Sequence, residues 1–295
     1  MENRYVIEVN GMASCDSCGS KDSCPSASAG GSCGSSEPES LIAPLHEKSS
    51  VKKVIGVCSG KGGVGKSFVT SVLAARLARD GYRVGILDAD VTGPSIPKAF
   101  GLKGQLKGDE NGILPMVSHS GIQIVSVNLV MENEEAPVVW RGPVISGVVK
   151  QFWSDVIWDQ IDVMLIDMPP GTGDVPLTVF QSIPLDGIFL VSTPQDLVSM
   201  IVNKARNMAL LMKVKVLGFV ENMSYTVCKH CGEKTPLFGE EGKVQKAATE
   251  LGVPLLDKLP LDPDITALVD EGHIEKVPGD ILSGAVEFVE KMLEK

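Results

Sequence analysis

The sequence lacks long apolar runs and has no excess of basic residues. None of its apolar stretches reaches the roughly 18 residues that a helix needs to cross a bilayer, so we expect no membrane association. The opening residues, MENRYVIEVNG, lack the basic and apolar regions of a secretory signal, which predicts a cytoplasmic protein. A net charge of −10 argues against nucleic-acid binding, because such proteins need a basic face to displace counterions from phosphates.

Large apolar side chains are nearly absent from residues 11–40, which consist mainly of Gly, Ser, Ala and Cys. Such a segment cannot offset its own ordering entropy by burial. We therefore predict a flexible arm over residues 1–50 and one globular domain over residues 51–295. Apolar residues make up 43% of the chain, which is enough to form a core without disulfides.

Strand and helix patterns alternate from Val51 onward. The predicted strands cover residues 51–58, 84–90, 121–127, 161–171, 186–193, 215–222 and 253–260, and the clearest helical spacing covers residues 66–79. This order is typical of an α/β fold, a mostly parallel sheet with helices on both faces. Ligands of such folds bind at the carboxyl ends of the strands.

A phosphate-binding motif follows the first predicted strand. Residues 60–67 read GKGGVGKS and fit the pattern G-x-x-x-x-G-K-[ST]. Its glycines allow backbone N–H groups to surround phosphate oxygens, Lys66 reaches the terminal phosphates, and Ser67 ligates Mg²⁺. The motif lies between a predicted strand and a predicted helix, as a P-loop does, and so predicts a nucleotide site.

Three aspartates lie at the ends of two predicted strands. Asp167 follows the apolar run VMLI and occupies a Walker-B position, where a carboxylate holds Mg²⁺ through water. Asp88 and Asp90 end the second strand in LDADVTGPS. An aspartate after a strand is also a common turn-former, but these positions suit a phosphate-binding edge.

The seven cysteines are unevenly distributed. Cys228 and Cys231 form a CxxC, and in a reducing compartment such a pair indicates a metal or redox site. A [4Fe–4S] cluster or Zn²⁺ normally needs four ligands, and a two-fold homodimer would supply the missing pair from the same two positions. A cluster and zinc both fit, and inert thiols are a further reading. A redox pair would be expected at a strand-to-helix turn near the start of its domain, and this pair lies elsewhere.

Six motifs in order carry a family resemblance: KGGVGKS, WRGP (140–143), DMPPGTGD (167–174), GFVENMS (218–224), CKHCG (228–232) and LPLDPDI (259–265). Together they resemble the Mrp/ApbC iron–sulfur cluster carrier ATPases, which are related to the Nbp proteins of eukaryotes. KGGVGKS is the deviant Walker A form shared with the nitrogenase iron protein and the Min and Par ATPases. The resemblance implies ATP binding, slow hydrolysis, a homodimer, and delivery of a [4Fe–4S] cluster to apoproteins.

The resemblance also implies roles for individual residues. Lys61 would contact the nucleotide phosphates across the dimer interface, Asp90 would orient or activate the attacking water, and Asn222 would recognise adenine. The expected catalytic residues are Lys61, Lys66 and Asp90. The expected nucleotide-binding residues are Gly60, Lys61, Gly62, Gly63, Val64, Gly65, Lys66, Ser67, Phe68, Asp167 and Asn222.

The N-terminal cysteines have the spacing C-x2-C-x5-C-x8-C. Cys15, Cys18 and Cys24 match the last three positions of the ferredoxin-like C-x13-C-x2-C-x5-C in Nbp-type members. The first position would fall at Met1, and Cys33 lies downstream instead. Two readings remain open: a second cluster on each arm, or a metal-scavenging tail.

Two other functions also fit a P-loop ATPase. A Min- or Par-like positioning ATPase would need a basic membrane-binding helix or a positive DNA-binding surface. The final helix pattern, GAVEFVEKMLEK, instead balances its lysines with glutamates. The other function, a zinc chaperone, would use the CxxC for Zn²⁺, and metal analysis after anaerobic reconstitution distinguishes it from a cluster carrier.

Overall fold

The computed structural model describes residues 41–90, 93, 95–130, 142–171, 173–195, 212–238 and 242–294. A compact unit runs from Ile42 to Lys295. Residues 42–50, which the sequence pattern assigned to the arm, make contacts with this unit: the Ala43 N–H donates to the Ser182 carbonyl at 2.8 Å. The four arm cysteines lie outside the described residues.

Strands and helices alternate along most of the described chain. The strands are β1 Val51–Ser59, β2 Val84–Asp88, β3 Lys107–Asp109, β4 Gly112–Leu114, β5 Met116–Val117, β6 Gln123–Ser126, β7 Ile161–Asp167, β8 Gly187–Ser192, β9 Val216–Val227, β10 Lys234–Pro236 and β11 Leu255–Pro260. The helices are α1 Lys66–Arg79, α2 Ile96–Ala99, α3 Gly142–Ser154, α4 Asp174–Ser182, α5 Lys243–Leu251, α6 Pro263–Asp270 and α7 Ser283–Leu293.

The main sheet has the strand order β10-β9-β8-β1-β7-β2-β6-β5, with β11 also paired to β9. The pairings are parallel except at the two ends, where β10 meets β9 and β5 meets β6 antiparallel. Every strand that the sequence predicts is present, and the predicted helix over residues 66–79 has those bounds. The mostly parallel α/β fold is therefore confirmed.

The core lies on both faces of the sheet. One apolar layer joins β1 to α1 and α7 and includes Ile55, Leu73 and Val289. The other joins the opposite face to α3, α4 and α5 and includes Trp158 and Phe219. Parallel strands covered on both faces are apolar nearly throughout, which explains the continuous apolar runs. Among the described helices, none has the length and apolarity needed to span a membrane.

The topology gathers the functional residues at one edge. Strands β1, β2, β7, β8 and β9 run parallel, so their carboxyl ends share that edge. Asp88 on β2 is the register partner of Asp167 on β7, and Val57 near the end of β1 is the partner of Asp167 on the other side. The P-loop starts at this edge, directly after β1.

Candidate functional site

The P-loop joins β1 to α1 through glycines in left-handed conformations. Gly63 has φ of 77° and Gly65 has φ of 78°. A Cβ atom at Gly65 would lie 2.1 Å from the Asn222 Nδ2, so position 65 excludes side chains for reasons of both backbone and space. Helix α1 begins at the next residue, Lys66, which places the amino end of the helix at the loop.

Lys66 is buried and paired with carboxylates. Its Nζ lies 2.7 Å from Asp167 Oδ2 and 3.5 Å from Asp90 Oδ2, and the side chain is 6% exposed. The structure therefore brings together three residues that the sequence assigned to phosphate, metal and water from three separate segments. Each carboxylate reduces the cost of burying the ammonium group.

Asp167 is the best-connected side chain of the site. It is fully buried, accepts a hydrogen bond from the Ser67 hydroxyl at 2.5 Å, and accepts another from the Thr70 hydroxyl at 2.8 Å. Ser67 and Asp167, the two expected Mg²⁺-binding residues, are thus in direct contact. Thr70 was missed by sequence reasoning; its signal is a position four residues after Lys66, on the same face of α1.

Asp88 lies beside Asp167 on the neighbouring strand, but its carboxylate has different hydrogen-bond partners. Its carboxylate accepts hydrogen bonds from the Ser126 hydroxyl at 2.9 Å and from the Asp90 N–H at 3.1 Å. Burial, reinforced by the nearby Asp167 charge, raises the pKa of Asp88 well above its usual value. Of the two aspartates, Asp90 is the one that contacts the lysine.

A cavity of about 440 Å³ opens over the P-loop, within the size range of small-ligand pockets. Glycines and polar side chains form the phosphate end, and Val269 on α6 and Ala99 on α2 form part of its wall. The lining residues are Ser59, Gly62, Gly63, Val64, Gly65, Lys66, Ser67, Phe68, Asp90, Gly93, Ser95, Ala99, Pro170 and Val269. No sequence motif pointed to α2 or α6 as walls of this cavity.

Two expected nucleotide contacts have partners within the chain. Asn222, on β9, is buried, and its Nδ2 donates to the Val64 carbonyl of the P-loop at 2.9 Å. Lys61 is half-buried, and its Nζ donates to Gln195 Oε1, which follows β8. Asn222 thus supports the loop from outside the cavity lining.

The cysteine pair lies on the turn between β9 and β10. The Cys228 N–H donates to the Glu233 carbonyl at 2.9 Å, and the Gly232 N–H donates to the Cys228 carbonyl at 2.8 Å. Both thiols are exposed. Backbone N–H groups of Cys231 and His230 donate to the Cys228 sulfur and lower the pKa of that thiol, which favours the thiolate that metals bind.

The two thiols have no further protein ligand near them in the part of the chain that the structure describes. No group of three or more His, Cys, Asp or Glu residues suited to a metal occurs within those residues. Cys58 is buried at the end of β1 beside Met168, and burial raises the pKa of its thiol to about 12. Cys58 is therefore an inert core residue and not a ligand.

Comparison with known proteins agrees with this geometry. The sequence profile of a family described as NUBPL iron-transfer P-loop NTPase matches residues 50–293. An iron–sulfur cluster carrier protein of Clostridium perfringens is 46% identical over 90% of this chain and 94% of its own length. One from Methanocaldococcus jannaschii is 42% identical over 88% of this chain and 87% of its own length.

Solved structures show the same fold. One is a nucleotide-binding protein of Archaeoglobus fulgidus, solved in complex with ADP, in which cobalt was found. It superposes with a TM-score of 0.70 at 43% identity, over 78% of this chain and 90% of that one. The cell division ATPase MinD of Pyrococcus furiosus gives a TM-score of 0.56 at 21% identity, over 81% of this chain and 99% of that one, and shares the fold alone. The chain belongs to the family of iron–sulfur cluster carrier P-loop NTPases.

Proposed function

We propose that this protein binds and hydrolyses ATP with Mg²⁺, assembles a [4Fe–4S] cluster between two copies of itself, and passes the cluster to apoproteins. The observation that carries the proposal is the exposed CxxC turn, where one chain presents two thiols to a cargo that takes four. A site completed only in a dimer is opened by separating the subunits, which suits a carrier.

The nucleotide half follows from the contacts around Lys66. When ATP enters, the β- and γ-phosphates take the place of Asp167 and Asp90 as partners of the Lys66 ammonium. Ser67 and Asp167, now joined by a hydrogen bond, are the residues that would hold Mg²⁺, which would neutralise phosphate charge. Asp90 is then released to orient the attacking water.

Lys61 and Asn222 complete the nucleotide site in this proposal. Lys61 leaves Gln195 and contacts the phosphates of the partner's nucleotide, where a cation stabilises charge that develops during phosphoryl transfer. Asn222, in the middle of β9, lies against the P-loop, where its amide donates to the Val64 carbonyl. In this proposal the amide recognises the adenine base when ATP is bound. ATP binding and dimerisation are thus coupled through one lysine.

The surface around the thiols supports a protein partner. Val227, which precedes Cys228, is 45% exposed, and Leu261 is 41% exposed. Leu261 lies beside the same strand end, because its N–H donates to the Tyr225 carbonyl at 2.8 Å. Apolar side chains next to the ligands would be covered by the second copy and would keep water from the cluster.

Anaerobic reconstitution with iron and sulfide tests the cluster assignment. We expect the absorption spectrum of a [4Fe–4S] protein, equal amounts of iron and sulfide, and activation of an apoprotein that needs such a cluster. Binding of zinc but not of iron and sulfide by the Cys228–Cys231 pair would contradict the cluster and indicate the zinc chaperone.

The Asp90→Asn variant tests the hydrolytic assignment. It keeps the shape of the side chain but loses the carboxylate that orients water, so we expect ATP to bind and turnover to fall by about 100-fold or more. Unchanged turnover would place the catalytic group elsewhere. Asp109→Asn, on the exposed β3, is a matched control and should leave turnover unchanged.

A further inference from the structure

Helix α6 touches both halves of the proposed machinery. Val269, near its carboxyl end, lines the nucleotide cavity. Asp264, in its first turn, accepts two hydrogen bonds from Lys229 Nζ, at 2.8 and 2.7 Å. Lys229 lies between the two cysteines of the CxxC turn. Five residues of helix, or about 7.5 Å, therefore separate the wall of the nucleotide cavity from a contact with the cysteine turn.

The amino end of α6 is attached to the strand that carries the cysteines. β11 runs parallel to β9, with Pro260 opposite Tyr225, and leads directly into α6. Asp262 caps the helix by accepting the Asp264 N–H at 2.8 Å. A displacement of α6 would therefore also move the end of β9, where the cysteine turn begins.

The body of α6 is lightly packed. Ile265 is the one fully buried residue of this helix, which the structure describes in full, and Leu268 and Val269 pack partly buried against the core. Few buried contacts resist a small movement of such an element, so a ligand that packs against one end can shift it. Helices move as rigid units over this length, because each backbone hydrogen bond would otherwise have to break.

We propose that α6 conveys the occupancy of the nucleotide cavity to the cysteine turn, and that Lys229 and Asp264 are the positioning residues that join the two. The inference rests on the proposed function, because it assigns a purpose to ATP at the cluster site. Nucleotide packs against Val269, α6 shifts, and Asp264 draws Lys229 and the turn with it. The geometry of the Cys228–Cys231 pair then differs between nucleotide states, which changes how readily the thiols bind or release cargo.

The solvent exposure of the Lys229–Asp264 pair limits how strongly it can couple the two sites. The Lys229 and Asp264 side chains are 70% and 75% exposed, so the pair adds little to stability and its loss leaves the fold intact. An exposed pair can couple two sites by no more than about fivefold. We therefore expect a modest difference between the reactivity of the cysteine turn with nucleotide and its reactivity without nucleotide.

The test uses the full chain, reduced and free of metal, and follows alkylation of Cys228 by iodoacetamide. Mass spectrometry of the peptide with Cys228 and Cys231 keeps the arm cysteines out of the measurement, and the reaction is run at a protein concentration where the chain is monomeric with and without Mg·ATP. We expect Mg·ATP to change the alkylation rate several-fold in the wild type. Asp264→Asn should bring the ratio of the rates with and without Mg·ATP close to one, whatever its effect on the nucleotide-free rate.

Three further variants sharpen the test. Lys229→Gln should reduce the ratio as Asp264→Asn does, and the double variant should add nothing, because both remove one interaction. Glu287→Gln removes the equally exposed Glu287–Lys291 pair on α7 and should leave the ratio at its wild-type value. A wild-type ratio of one, or a ratio that Asp264→Asn and Lys229→Gln leave unchanged, would overturn the proposal. Because no cluster is present, either result is independent of whether the protein carries iron and sulfide.

Discussion

The nucleotide end and the cysteine turn are built in opposite ways. Lys66 and Asp167 are 6% and 0% exposed, and their partners come from several strands and helices of the sheet edge. Cys228 and Cys231 are exposed on a single hairpin whose hydrogen bonds are local. The first group of residues is organised within one chain, whereas the second would supply half of the ligands of the proposed cluster. In the proposed function, the nucleotide site is thus formed before assembly and the cargo site only by assembly.

The difference also has an energetic side. A buried lysine and three aspartates at the sheet edge lose hydration, and their mutual contacts offset only part of that loss. Exposed thiols on a turn lose little hydration, so substitutions there should leave the fold unchanged. Changes at the two sites should consequently have separable effects on stability, nucleotide binding and metal content.

Cys228→Ser should cause the largest effect, a complete loss of the bridging cluster. A serine oxygen is a poor ligand for iron, and a two-fold site loses two of its four ligands at once. Iron and sulfide content after reconstitution measures the loss, while ATP affinity should stay at the wild-type value. A variant that retained the cluster would place the site elsewhere, and Cys58→Ser, at a buried non-ligand cysteine, should keep the cluster if the chain tolerates it.

Lys66→Ala should weaken ATP binding by about 100-fold or more, because the β- and γ-phosphates lose a buried cation. Equilibrium binding with a fluorescent ATP analogue measures this loss. Lys52→Ala removes a lysine that is 62% exposed, and it should bind ATP normally. Wild-type affinity in Lys66→Ala would refute the P-loop assignment.

Gly65→Ala should destabilise the protein by about 1–3 kcal/mol, because the new Cβ meets both a left-handed backbone and the Asn222 amide. Gly63→Ala is the matched control: it has nearly the same φ, and a Cβ there would meet nothing within 4 Å. Urea unfolding of the nucleotide-free variants should therefore show a smaller loss for Gly63→Ala, near 1 kcal/mol. Equal losses would mean that the contact with Asn222 carries no cost.

Asp88→Asn should produce the smallest effect, a stabilisation that grows with pH. Burial raises the folded pKa of Asp88, so as pH rises above the unfolded pKa near 3.8 the unfolded state ionises more readily than the folded state. Wild-type stability therefore falls as pH rises through that window, and asparagine avoids the loss. Thermal unfolding at pH 5 and pH 8 measures the difference.

Asp162 has a pKa shift in the opposite direction to that of Asp88, so its effect on stability should depend on pH in the opposite way. The Arg83 guanidinium lowers the pKa of Asp162, so its contribution to stability is present above the unfolded pKa and is lost as pH falls. Asp162→Asn should destabilise the protein more at neutral pH than near pH 3. Matching pH trends for Asp88→Asn and Asp162→Asn would contradict the opposite directions of the two pKa shifts.

Sequence patterns predicted the sheet well where strands are buried on both faces. β1, β7 and β8 are long apolar runs, and the P-loop motif fixed both the end of β1 and the start of α1. The antiparallel β5 and β10 have two and three residues, too few for any period to show. Residues 42–50 looked like arm because contacts such as Trp153 Nε1 donating to the Ala43 carbonyl come from distant sequence.

Residues of the candidate site could be predicted where they belong to short sequence motifs. Lys66, Ser67 and Asp167, which the sequence assigned to one site, are in contact in the structure. Their proximity was predictable because each expected role needs a fixed residue type at a fixed point of a strand or loop. The contributions of Val269 to the cavity and of Asp264 to the cysteine turn were not predictable. Both depend on where α6 packs in space, and no local pattern encodes that position.

The central claim is that two chains share one cluster through Cys228 and Cys231. The most direct measurement is iron, sulfide and oligomer mass on one reconstituted sample of the full chain with Cys15, Cys18, Cys24 and Cys33 changed to serine. These substitutions remove any arm cluster, so the shared site predicts about two iron atoms per chain, four irons over two subunits, in a particle of dimer mass. A stable four-iron cluster on a monomer would contradict the account.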